Sequence, residues 1–175
     1  MDIELMMQER HDLLTRLQDS LQEGLIPCEI AEKEEESGPE ILTVILDGMG
    51  EEGEKEGAVG EFFFLPAASE EDKVQFFRSV VTLTDTILPE SLPALYEAVA
   101  KINFRLPCGS YSVDEEGGYL AYILTVPLPM GLSEDALYEQ MNVCVGNAAI
   151  ASDLFADILL KIASGEEKGI NAYAY

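Results

Sequence analysis

The chain has no tryptophan, a single histidine, three cysteines and only 10 Lys+Arg against 34 Asp+Glu among its 175 residues. Each shortage removes a class of function. A formal net charge of -24 repels phosphate backbones and anionic lipid headgroups, so neither nucleic acid nor membrane is an expected partner. Cys28, Cys108 and Cys144 form no C-x-x-C pair and are odd in number, which predicts free thiols in a reducing, cytoplasmic setting. Asp2 and Glu4 stand where a secretory signal carries positive charge. No apolar run approaches the ~20 residues of a membrane span.

Catalytic signatures are missing as well. H-E-x-x-H, G-x-S-x-G and G-K-[ST] do not occur. One nucleotide-like pattern is present: Gly48, Gly50 and Gly53 spell G-x-G-x-x-G after the apolar run ending at Leu46. A dinucleotide loop needs a helix N-terminus directly behind it to receive the pyrophosphate. Here the chain runs on into Phe62-Phe63-Phe64, which reads as a strand, and Asp47, Glu51, Glu52, Glu54 and Glu56 would face an anionic ligand with like charge. The segment reads instead as a Gly- and Glu-rich hairpin loop. It lacks the early oxygen ligands of an EF-hand too. No catalytic, cofactor or metal residue is singled out. The competing enzymatic reading would use acidic residues with Cys144 or His11, although Cys144 lies on an apolar helix face, where cysteine serves as a small hydrophobe.

What is present is enough apolar residue, 47%, to build one core. Ile3, Met6, Met7, Leu13, Leu14, Leu17 and Leu21 recur at helical spacing, with Gly24 placed to stop the helix. Extended segments follow near Ile26–Lys33, Glu40–Leu46 and Ala58–Pro66. Lys73–Ile87 suits a helix face or a strand, and the β-branched Val80, Val81, Thr82, Thr84 and Thr86 favour the strand. Ser91 and Pro93 open a helix that ends near Asn103. Ser110–Val113 and Tyr119–Val126 form a hairpin around Gly117-Gly118, with Pro127–Gly131 as its exit loop. Ser133 caps a last helix of about thirty residues that ends at Gly165. The small residues Gly146, Ala148, Ala149 and Ala151 permit close packing, either inside the subunit or against a second one. Residues 1–165 therefore read as one α+β domain with an antiparallel sheet, and 166–175 as a flexible tail.

The second half carries a resemblance. LPALYEAVAKIN, then GSYSVDEEGGYLAYILTVPLP, then a helix from LSEDALYEQM bearing Asp153 in ASDLFADIL, resembles the YbjN family, whose fold is similar to type III secretion chaperones. The match covers roughly Leu92 to Gly165, and the first half departs from it by a longer acidic loop and the extra strand 73–87. The resemblance implies a non-enzymatic, chaperone-like or regulatory α+β protein, commonly homodimeric, that binds other proteins; it supplies no catalytic residue. A structural subunit of a larger assembly is the remaining alternative. Contacts with a partner are expected from whichever of Phe62, Phe63, Phe64, Phe76 and Phe77 the strand alternation turns outward, or along an open sheet edge.

Overall fold

Period-two alternation organises the middle of the chain. In the computed structural model, which describes residues 3–31, 38–47, 58–66 and 73–170, six strands form one antiparallel sheet. They are β1 (Cys28–Ala31), β2 (Ile41–Leu46), β3 (Ala58–Phe64), β4 (Val74–Thr84), β5 (Ser110–Asp114) and β6 (Tyr119–Pro129), in the order β1-β2-β3-β4-β6-β5. The fold is α+β, as expected. The ambiguous segment is the central strand β4, paired on both sides. Pro127 and Pro129, expected in an exit loop, still belong to β6 and stand opposite Phe76 and Val74.

Among the described residues four α-helices accompany the sheet: α1 (Ile3–Glu23), α2 (Leu92–Asn103), α3 (Glu134–Asp153) and α4 (Ala156–Ala163). Their buried residues, including Leu13, Leu17, Leu95, Ile102, Met141, Ala148 and Leu159, join one core with the inward residues Leu42, Val44, Phe62, Phe64, Phe77, Val81, Tyr111, Leu120, Tyr122 and Leu128. The helices thus cover one face of the sheet. Ala148 and Ala151 lie in this core, while Gly146 has nothing within 4 Å of where a side chain would begin. The small-residue stretch therefore serves internal packing on its alanine side.

Two helix ends differ from expectation. Gly24 is not the left-handed residue that closes α1. Leu25 is, at φ 60, with Leu25 N donating to Gln22 O and Ile26 N to Leu21 O, the paired bonds of a Schellman stop. The expected thirty-residue last helix is two helices, bent by 54°. The Tyr111 hydroxyl lies at the break. It donates toward Ala151 O at 2.9 Å and Ser152 O at 3.0 Å, and it accepts from Phe155 N at 3.4 Å. A side chain set into the backbone ladder is a recognised cause of a kink. No single described helix is long and apolar enough to cross a membrane.

β2 and β3 pair from Leu46↔Ala58 onward, so the connection carrying Gly48, Gly50 and Gly53 joins two hairpin strands. The loop itself lies outside the described residues, as do 171–175 of the expected tail; 166–170 form neither helix nor strand.

Candidate interaction surface

Alternation that sends one set of side chains into the core sends the other to the opposite face. On that face stand Ile41, Thr43 and Ile45 of β2, Val59, Glu61 and Phe63 of β3, Phe76, Arg78, Val80 and Thr82 of β4, and Ala121, Ile123, Thr125 and Pro127 of β6. The register places Ile41, Phe63, Arg78 and Thr125 in one cross-strand row, and Thr43, Glu61, Val80 and Ile123 in the next. No described helix covers these rows. Ile45, Val59 and Phe76 are 36%, 38% and 46% exposed. Of the five phenylalanines, Phe62, Phe64 and Phe77 are buried, and Phe63 and Phe76 face outward. The exposed apolar residues Ile45 and Val59 stand at one end of the face and Phe76 toward the other, with Glu61 and Arg78 between them.

The sheet edges are less open than the strand order suggests. On β5, Asn103 Nδ2 donates to Tyr111 O at 3.0 Å and Tyr111 N donates to Asn103 Oδ1 at 2.8 Å. The side-chain amide at the end of α2 thus takes the place of a neighbouring strand's peptide group. On β1, Gln22 Nε2 donates to Cys28 O at 3.2 Å. Native sheets block their edges in such ways against unwanted pairing. Asn103→Ala is expected to lower stability by about 1–2 kcal/mol, because the buried-side groups of Tyr111 lose both partners. It should also raise the tendency to aggregate, read by thermal melting and light scattering.

The two residues named for the enzymatic alternative stand in different settings, His11 exposed on α1 and Cys144 buried on α3. His11 lies on the exposed side of α1, its Nδ1 3.1 Å from Glu40 Oε2. Cys144 is 1% exposed, its Sγ 3.3 Å from Ser79 Oγ. Burial pushes the Cys144 thiol up, with the Ser79 contact opposing only in part, so it stays protonated and a poor nucleophile near neutral pH. Burial also raises the Cys28 thiol. All three cysteines are free. Among the described residues no group of three or more His, Cys, Asp or Glu is arranged to hold a metal ion.

Arg78, Glu61, Val80 and Ile123 were not among the expected contacts. The alternation of β3, β4 and β6 contained them, but which parity faces the helices is set by tertiary packing. No family model matches this chain, and no curated protein matches it. Among solved structures it is similar to the crystal structure of YbjN from E. coli, with 12% sequence identity and a TM-score of 0.45, over 83% of this chain and 91% of that chain.

Proposed function

We propose that this chain is a non-enzymatic, protein-binding protein of chaperone-like or regulatory kind, placed in the cytoplasm, whose working surface is the helix-free face of the sheet. The single observation that carries the reading is the set of outward apolar side chains on four adjacent strands, with Phe63, Phe76, Ile45 and Val59 uncovered by any described element. The matching partner is an extended polypeptide segment that combines apolar side chains with positive charge. Apolar contact supplies affinity, and the net charge of -24 steers the approach of a basic segment.

The reading is tested with a labelled basic amphipathic peptide followed by fluorescence anisotropy. Binding should weaken as salt rises, because the attraction between opposite charges is screened. Phe63→Asp with Phe76→Asp should reduce affinity at least about tenfold, as expected when exposed aromatic anchors are lost, with circular dichroism unchanged. Equal binding by the variant, or binding lost only on helix-face substitutions, would remove this face from the proposal.

A further inference from the structure

Glu61 and Arg78 occupy the centre of the helix-free face on adjacent strands, offset by one register step: Phe63 stands opposite Arg78, and Glu61 opposite Val80. They are diagonal neighbours of opposite charge, yet they do not pair within one copy. Arg78 Nε donates to Thr125 Oγ1 at 3.0 Å, and among the described residues neither Arg78 nor Glu61 takes part in a salt bridge. A two-fold axis in the plane of the face, passing midway between them, exchanges the two positions. Arg78 of each copy then meets Glu61 of the other, the reciprocal pattern an isologous interface requires.

We infer that a second copy of this chain occupies the face, held by two reciprocal Arg78–Glu61 ion pairs set among Ile41, Phe63, Val80 and Ile123. The inference rests on reading this face as a docking surface, and it makes self-association the state with which any other partner competes. Three further arguments favour a second copy. Six strands about 4.8 Å apart, with inner strands of six to eleven residues rising ~3.4 Å each, span a projected area of roughly 600–700 Å². That approaches the ~800 Å² per partner of a standard stable interface. The molecule carries a net charge of -24, so self-association is opposed wherever acids concentrate. At the centre of this face Glu61 and Arg78 cancel, and the other outward acids of the strands, Glu29 and Asp114, stand on the edge strands β1 and β5. Finally, the exchange geometry is compatible with known sheet packing. With ideal spacings the axis runs close to the Phe63–Val80 diagonal, so each of these residues faces its own copy, and the strands of the two sheets cross at roughly 70°, near the orthogonal class.

The test is sedimentation equilibrium of the wild type, Arg78→Glu, Glu61→Arg and the double variant carrying both changes, with circular dichroism confirming the fold of each. The wild type should be a dimer whose affinity rises between about 0.01 and 0.15 M salt, because repulsion between two acidic bodies is screened; this is opposite to the salt response of a basic peptide. Each single reversal sets like charges against one another twice per dimer and should weaken association about 100-fold or more, while the double variant should return to within about tenfold of wild type. A monomeric wild type, a dimer indifferent to both reversals, or a double variant no better than the singles would overturn the inference. The two proposals fail separately. A monomer that loses peptide on Phe63→Asp with Phe76→Asp leaves the binding reading standing without the dimer. A charge-swappable dimer whose peptide binding ignores those substitutions leaves the dimer without that reading.

Discussion

Tyr111→Phe is expected to cost about 2–4 kcal/mol of stability, a large effect for the loss of one oxygen atom. Tyr111 is 2% exposed, and its hydroxyl serves Ala151 O, Ser152 O and Phe155 N at the break between α3 and α4. Removing it leaves the ring in place and takes one hydrogen-bond partner from each of three backbone groups, where loss of a buried partner costs about 1–3 kcal/mol. Denaturant unfolding measures the loss, and unfolding at the wild-type midpoint would refute it. The same site predicts an alkaline limit. Burial, opposed by the Phe155 N–H and reinforced by Asp153, pushes the Tyr111 phenol far above its ordinary range. Burial and the Cys108 contact do the same to Tyr122. A group whose folded pKa is raised contributes stability that is complete below the unfolded value, about 10 for tyrosine, and is lost as pH climbs from there toward the folded value. Stability should therefore hold through neutral pH and fall above about pH 10, with two phenols ionising only as the protein unfolds.

Gly109→Ala is expected to be as damaging, about 2–5 kcal/mol. Gly109 has φ +62, a left-handed conformation that side chains disfavour, and a Cβ there would strike the Tyr122 phenol and come within 2.8 Å of Ile123 O. Neither neighbour can yield easily. Tyr122 is fully buried, its hydroxyl donates to Cys108 O at 2.8 Å, and its ring stands edge-on to Tyr111 at 5.4 Å. Backbone strain of about 1–3 kcal/mol and overpacking of similar size combine. Thermal melting of the variant checks the expectation; a shift of only a degree or two would show that the Cys108–Gly109 turn moves more freely than its contacts imply.

The two substitutions act on one device. The turn at Cys108–Gly109 holds Tyr122, Tyr122 packs on Tyr111, Tyr111 sets the bend of the last helices, and Asn103 locks the backbone of Tyr111 from the other side. Much of the sheet was legible in local pattern. Val80, Val81, Thr82 and Thr84 identified β4 as a strand through β-branching, and Gly117-Gly118 located the β5–β6 hairpin, where Gly118 takes φ +70. The helix break was not legible. Residues 151–156 contain no proline or glycine, and the hydroxyl that divides the ladder comes from forty positions earlier. The edge lock was invisible for the same reason: a terminal asparagine reads as a helix end, and its partner backbone is known only once α2 packs beside β5.

Composition and periodicity alone determined that this protein is an acidic α+β chain with an apolar core, no recognisable catalytic motif, and strands that present two contrasting sets of side chains. Those are properties of residue type and spacing, and they hold for each segment by itself. Which set faces water was decided by tertiary packing, because all four helices gather on one side and leave Phe63, Phe76, Arg78 and Glu61 on the other. A strand's alternation is symmetric between its two faces, and only the burial of one of them against helices breaks that symmetry.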